Sequence, residues 1–107
     1  MEYVIQEETE VLIGDPIKVP QKLLRKIIKF FRSEPLIQKA YLKWMTMNKQ
    51  SGYLIVVDLN KQYRDVIFPK IGALVDKYLG KGFYADLVLY ENPFIDVVKN
   101  NVPFYKV

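Results

Sequence analysis

Cysteine and histidine are both absent from this chain of 107 residues, and each absence removes a class of chemistry. Without cysteine there is no disulfide, no thiolate metal ligand and no cysteine nucleophile. Without histidine the commonest general base and the commonest zinc ligand are missing, and no Ser-His-Asp arrangement can form. An enzyme would have to use aspartate, glutamate, lysine or tyrosine. We therefore expect no cofactor and no metal, and we favour a protein that is not an enzyme.

Long hydrophobic runs are also missing. No apolar stretch approaches the length of a membrane span, and residues 1–10 form an acidic segment that lacks both the basic and the apolar region of a signal peptide. Half of the residues are hydrophobic, which disfavours global disorder. We predict a single cytoplasmic domain over residues 1–107, in which residues 1–13 form a short strand or an arm.

The clearest element is an amphipathic helix predicted over residues 21–33. Its apolar side chains recur at helical spacing, as Leu23, Leu24, Ile27, Ile28 and Phe31. Basic side chains take the opposite face: Lys22, Arg25, Lys26, Lys29 and Arg32. Burial of the apolar face outweighs the few tenths of a kcal/mol that like-charge neighbours cost, so we expect the helix to dock on a core.

A hairpin follows, with strands predicted over residues 36–47 and 53–59 and a polar turn between them. On the first strand Ala40, Leu42 and Trp44 share one face, which we predict to be core. The other face is expected to be exposed or to meet a partner; it carries Lys39, Tyr41, Lys43 and Met45. The second strand is apolar on both faces, which is typical of a central strand.

The remaining pattern predicts a second long helix over residues 66–79, a strand over 85–90, a short helix over 93–100 and a docked C-terminal tail. Asp65 and Asn92 are the expected N-caps of the two helices. The order is β-α-β-β-α-β, which predicts an α+β fold with the split βαβ arrangement of ferredoxin-like domains. In that arrangement the sheet is antiparallel and both long helices lie on one face.

Several short motifs carry a family resemblance. They are Gly14-Asp15-Pro16 with Pro20 and Leu23, Ala40-Tyr41-Leu42, a hydrophobic strand that ends at Asp58, Ile71-Gly72, and Pro103-Phe104-Tyr105-Lys106. From Gly14 to Val107 the chain resembles the C-terminal domain of the SseB family, the enhanced serine sensitivity proteins of bacteria. The resemblance implies a bacterial cytoplasmic protein, usually with a further domain ahead of this one. It implies no catalytic residue.

Two interpretations of function stay open. The first is a non-enzymatic binding or regulatory module that contacts a protein partner, or a second copy as a homodimer, through the second sheet face. That apolar face is alternatively covered by the chain's own C-terminal helix and tail. The predicted patch comprises Tyr41, Lys43, Met45, Val56 and Tyr90.

The second interpretation is nucleic-acid binding through the basic helix face, for which a solvated charged surface is the plainer explanation. An RNA-recognition motif is disfavoured because Gly52 and Tyr53 are followed by aliphatic residues rather than stacking aromatics. Asp58, Asp65 and Asp86 match no calcium or magnesium loop, so we expect them to be structural.

Overall fold

The computed structural model describes residues 11–48, 50–80 and 82–107, which form three α-helices and a five-stranded sheet. The strands are β1 (Val11–Gly14), β2 (Lys39–Met47), β3 (Gln50–Asp58), β4 (Ala85–Leu89) and β5 (Tyr105–Lys106). The helices are α1 (Gln21–Arg32), α2 (Arg64–Tyr78), which follows a 3₁₀ turn (Lys61–Tyr63), and α3 (Phe94–Val98). The α+β class is confirmed. The predicted β-α-β-β-α-β order with a short C-terminal helix is matched in part, since the tail adds a fifth strand, β5, and the sheet is mixed.

Hydrogen bonds and charges within the segment fix both ends of helix α1. The backbone N–H of Leu24 donates to the carbonyl of Pro20 at 3.0 Å in the first turn. At the other end the hydroxyl of Ser33 donates to the carbonyl of Phe30 at 2.7 Å. Lys29 and Arg32 lie in the last turn, where the helix dipole favours positive charge. The predicted helix over residues 21–33 is therefore confirmed to within one residue.

The sheet runs β1-β2-β3-β4, and β5 pairs with β2. Strand β2 pairs along its whole length with β3, from Lys39 opposite Asp58 to Met47 opposite Gln50. Its other edge is shared, since β1 pairs with Trp44 to Met47 while β5 pairs with Lys39 and Ala40. These three pairings are antiparallel, whereas β3 and β4 are parallel.

The prediction of an antiparallel, split βαβ sheet is wrong in this respect. A split βαβ unit needs another strand between its two parallel strands, but β3 and β4 are direct neighbours. Helix α2 carries the chain back over one face of the sheet, so β4 enters in the same direction as β3. The result is a mixed sheet in which β4, the final strand of the order β1-β2-β3-β4, forms an edge.

Both long helices pack on one face of the sheet, as predicted. Ile27 of α1 and Ile71 of α2 are fully buried against Ile55 and Val57 of β3. The tail closes the same core, because Tyr105 donates its hydroxyl hydrogen to the carbonyl of Phe31 at 3.2 Å. The tail is docked, as predicted. It forms strand β5 beside β2 and packs on the core under α1 and α2, and it does not cover the second sheet face.

The second sheet face is covered by α3. Phe94 and Val98 of that helix pack on Tyr41, Met45 and other side chains of the face, all of them buried. On β2 the expected burial is confirmed only at Ala40. Leu42 and Trp44 are half-buried, whereas Tyr41, Lys43 and Met45 of the other face are buried. The sheet is thus enclosed by α1 and α2 on one side and by α3 on the other.

Gly52 of β3 is required by a close approach. A Cβ added there would lie 2.5 Å from Cε2 of Tyr84. We expect Gly52→Ala to lower the free energy of unfolding by about 1 kcal/mol, because the Tyr84 ring must move. Gly14→Ala is the matched control, because a Cβ at that position meets nothing within 4 Å. The added methyl group also lowers the entropy of the unfolded chain, so this variant should not lose stability. Urea titration measures both; a gain from Gly52→Ala would contradict the expectation.

Candidate functional site

The outer edge of β4 presents unpaired backbone. At one end the N–H of Tyr53 donates to the carbonyl of Tyr84 at 2.9 Å, and at the other the N–H of Tyr90 donates to the carbonyl of Val57 at 2.9 Å. Backbone groups of alternate residues point the same way along a strand. The intervening Ala85, Leu87 and Leu89 therefore direct theirs away from β3. The carbonyl of Leu89 accepts from the N–H of Glu91 at 2.9 Å, so the open part of the edge lies at Ala85 and Leu87. Within the described ranges no strand pairs with that edge.

This edge forms the floor of a groove of about 740 Å³, named here the β4 groove. One wall comes from the start of α2, with Phe68 half-buried and Pro69 exposed. The opposite wall is the segment that connects β4 to α3, residues 91–94. Because α2 lies on one sheet face and α3 on the other, the groove follows the strand and is open outward. Its shape suits an extended chain.

The β4 groove carries more negative than positive charge. Of the described residues that line it, Asp65, Asp86 and Glu91 are acidic and Arg64 is basic. Arg64 Nε lies 3.5 Å from Asp65 Oδ1, so part of its charge is already matched. Burial, with a smaller contribution from the negative charge of Asp86, raises the pKa of Tyr84 beside the groove.

The predicted partner patch lies mostly inside the protein. Tyr41, Met45 and Val56 are buried beneath α3, and the Lys43 side chain is 7% exposed. Tyr90 is half-buried and stacks on Tyr41 with ring centroids 5.9 Å apart. These five residues do lie on one sheet face, as predicted, but they offer a partner almost no accessible surface. Of the two alternatives for this face, cover by the chain's own C-terminal helix is confirmed, whereas the tail pairs with β2 instead.

Lys43 instead extends from beneath α3 to a polar cluster at the surface. Its Nζ donates to Asp15 Oδ1 at 2.8 Å and to Asn101 Oδ1 at 3.3 Å, and Asn101 Nδ2 donates to the same Asp15 oxygen at 3.4 Å. The cluster joins the loop after β1 to the segment after α3. It thereby holds the C-terminal region against the sheet.

We expect Asp15→Ala to cost about 1–3 kcal/mol of unfolding free energy, since it leaves a buried ammonium with one acceptor fewer. Asp15 is itself 76% exposed, which keeps the loss below that of a fully buried pair. Lys43→Met is expected to be nearly neutral, and in that background Asp15→Ala should cost almost nothing. A double-mutant cycle by urea titration tests this; equal costs in both backgrounds would show that the pair is not coupled.

The basic face of α1 is at the surface as predicted. Lys22, Arg25, Lys29 and Arg32 are exposed and Lys26 is half-buried. Three ammonium groups lie over the ring of Tyr78 in α2. The Nζ atoms of Lys22, Lys26 and Lys77 are 5.8, 5.3 and 5.4 Å from its centroid. Among the described residues no carboxylate lies within 4.0 Å of these cations. The surface is therefore strongly positive.

The part of the chain that the structure describes contains neither a metal-binding cluster nor a membrane-spanning helix. Its Asp and Glu side chains make no group of three that could hold a metal ion, so Asp58, Asp65 and Asp86 do not converge. The longest helix there has 15 residues, and none combines the length and apolar character that crossing a bilayer requires.

Comparison with known proteins supports the resemblance seen in the sequence. The family model described as the SseB protein C-terminal domain matches residues 5–106, nearly the whole chain. No curated protein and no solved structure matches. The chain therefore belongs to the SseB protein C-terminal domain family.

Proposed function

We propose that this domain is a non-enzymatic protein-binding module, acting in the bacterial cytoplasm that the family resemblance implies. Its partner adds an extended segment to the free edge of β4. The observation that carries the proposal is the β4 groove itself, an edge strand whose Ala85 and Leu87 backbone groups face an open channel between two walls. Edge strands without a partner are templates for another chain.

Physical chemistry favours occupation of this edge. Each backbone bond to an incoming strand replaces bonds to water and contributes modestly, about 0.5–1.5 kcal/mol. The walls add apolar contact through Phe68 and Phe94, which an isolated strand edge would lack. Neither wall offers histidine or cysteine, in keeping with the composition of the whole chain. Binding rather than catalysis is the function that these groups support.

The test combines selection with mapping. A display library of random peptides is selected on the immobilised full chain, and the binders are titrated into labelled protein for amide NMR. We expect shifts and slowed hydrogen exchange at the outward amides of Ala85 and Leu87. Binders that perturb only other surfaces, or the absence of any binder, would remove the proposal.

Nucleic-acid binding through α1 is the second candidate. The specific observation in its favour is the clustering of three lysines on Tyr78 without a neighbouring described carboxylate. Two of these lysines belong to the basic face of α1, so that surface attracts phosphate groups. With its ring in contact with ammonium groups, Tyr78 is poorly placed to stack on bases, so any contact would be to the backbone.

A salt titration tests this candidate. Five phosphate contacts predict that the logarithm of the affinity for random-sequence DNA falls with the logarithm of salt at a slope of about −4 to −5. Neutralising Lys22, Lys26 and Lys29 to glutamine should flatten that slope, while Lys61→Gln, exposed elsewhere, should not. No binding at low salt would exclude the candidate.

A further inference from the structure

We infer that the basic face of α1, together with the lysines around Tyr78, binds the phosphate backbone of double-stranded DNA in preference to a single strand. The inference rests on the second candidate of the proposed function, because it assigns the form of nucleic acid that this surface would take. It is carried by the spacing of the cations, by the ring that holds three of them, and by the kinds of side chain that α1 exposes.

The cations of α1 form a continuous stripe along the helix. Lys22, Lys26 and Lys29 follow one another at intervals of four and three residues, which places them on one side of an α-helix. Arg25 and Arg32 flank that row, so the stripe extends over about 15 Å of the helix axis. Double-stranded DNA presents one negative charge per about 1.7 Å of its axis, twice the density of either strand within it. A straight, closely spaced stripe therefore meets more phosphates on a duplex.

Tyr78 holds part of this stripe in place. Its ring lies within 5.8 Å of the Nζ atoms of Lys22 and Lys26 from α1 and of Lys77 from α2. An aromatic ring attracts ammonium groups at such distances, and this offsets the repulsion between like charges four residues apart on a helix. Since no described carboxylate lies within 4.0 Å of these lysines, a phosphate oxygen would relieve the remaining repulsion. The ammonium groups are thus gathered before any ligand arrives.

The exposed side chains of α1 suit phosphates rather than bases. They are Gln21, Lys22, Arg25, Lys29 and Arg32. Single-strand binders stack bases on free aromatic rings, whereas Tyr78 is half-buried beneath ammonium groups and Phe31 is buried in the core. Without stacking, nothing at this surface offsets the entropy that a flexible single strand loses on binding. A duplex is stiff over this length and loses little.

The same composition disfavours three other acidic ligands. The centres of protein interfaces are enriched in aromatic residues and depleted of lysine. A helix that binds an anionic membrane inserts apolar side chains, but α1, which the structure describes throughout, has none exposed; Ile28 and Phe30 are half-buried and the others are buried. Duplex RNA is recognised through its 2′-hydroxyl groups as well as its phosphates, and a face of lysine and arginine addresses the phosphates alone.

The test adds the full-length chain to fluorescently labelled DNA at low salt and measures anisotropy. A random-sequence duplex is compared with one of its strands alone, and amide NMR locates the contact. We expect the duplex to bind about tenfold more tightly, with shifts in α1 and around Tyr78. The slope of log affinity against log salt should be about −4 to −5 for the duplex. It should be about −3 to −4 for the single strand if the same five cations take part.

Two variants that each remove one exposed positive charge form a matched pair, Lys77→Gln and Lys99→Gln. Lys77 lies beside Tyr78, whereas Lys99 follows α3, which packs on the opposite face of the sheet. We expect Lys77→Gln to weaken duplex binding about threefold and to reduce the salt slope by about 1, and the control to leave both nearly unchanged. Equal effects of the two would show that only net charge matters, and would overturn the inference.

Substitution of Tyr78 tests whether its ring positions the lysines. We expect Tyr78→Leu to weaken duplex binding about threefold to tenfold, whereas Tyr78→Phe, which keeps the ring, should stay within about twofold. The Hε protons of Lys22 and Lys26 should show ring-current shifts in the unaltered chain and in Tyr78→Phe, and lose them in Tyr78→Leu. Undiminished binding by a folded Tyr78→Leu variant would overturn the positioning role of the ring.

The remaining outcomes separate the inference from the function on which it rests. A single strand that binds as tightly as the duplex, or duplex RNA that binds more tightly, with shifts in α1, would overturn the inference and leave nucleic-acid binding standing. No binding of any nucleic acid at low salt would exclude both. Vesicles of anionic phospholipid and a polyglutamate peptide complete the test. Tighter binding of either one through α1 would overturn the inference and assign the face to a membrane or to an acidic protein.

Discussion

Replacing Phe31 with alanine is expected to remove about 3–5 kcal/mol from the free energy of unfolding, a large share of what a domain of this size has. The side chain is 1% exposed and lies where α1 meets the C-terminal tail. Its ring centroid is 5.2 Å from that of Tyr105 in an edge-on contact and 6.3 Å from that of Phe104. The cavity would therefore open between two segments that are far apart in sequence.

The measurement is urea unfolding followed by circular dichroism, with hydrogen exchange to locate the damage. The amides of Phe104 and Val107, which donate at 2.9 Å to the carbonyls of Ala40 and Gln38, should lose protection first. Phe83→Ala is the control because Phe83 is 51% exposed. A loss below about 1 kcal/mol for Phe31→Ala would show that the tail is not anchored on this ring.

Local elements were predictable because local chemistry decides them. The apolar spacing of α1 and the residues that stop it lie within one continuous stretch, and the helix was found to within one residue. The turn before β3 was predicted too long, since Met47 already pairs with Gln50. Asn48 has φ of 52°, a conformation that asparagine tolerates, and this permits the tighter connection.

Helix caps were less predictable, because several polar residues compete near each start. Asp65 was expected to cap α2, but the helix begins at Arg64 and Asp65 lies inside its first turn. Asn60 caps earlier, with its side chain accepting from the N–H of Gln62 at 3.1 Å. Asn92 does not cap α3 either, because Pro93 takes that position without a side-chain bond.

Sheet pairing and the groove depended on contacts between distant parts of the chain. The alternation of β2 correctly put Tyr41, Lys43 and Met45 on one face, but their mixed polarity could not decide between cover by α3 and contact with a partner. Lys43 is buried because Asp15 and Asn101 reach it from positions far along the chain. The β4 groove exists only because β4 pairs beside β3 and leaves an edge, which no pattern within the strand records.

The cover provided by α3 leads to the prediction with the second largest effect. We expect Val98→Asp to release α3 from the sheet and to cost about 3 kcal/mol or more, because it places a carboxylate at a position with 0% exposure. A helix of five residues has little stability of its own, so its packing on Tyr41 and Val56 holds it in place. Val102→Asp, at 91% exposure, should be silent.

Release of α3 would uncover the second sheet face, and that consequence can be measured separately from stability. Met45, Leu54 and Val56 would be exposed to water, so the variant should bind a hydrophobic dye and self-associate in sedimentation. The Val102→Asp control should keep the oligomeric state of the unaltered chain. A variant that loses stability without dye binding would mean that the whole fold, rather than α3 alone, had opened. Because β4 pairs through its backbone with β3 and not with α3, a peptide seated in the β4 groove should still protect the amides of Ala85 and Leu87 after release, with weaker affinity from the lost Phe94 wall.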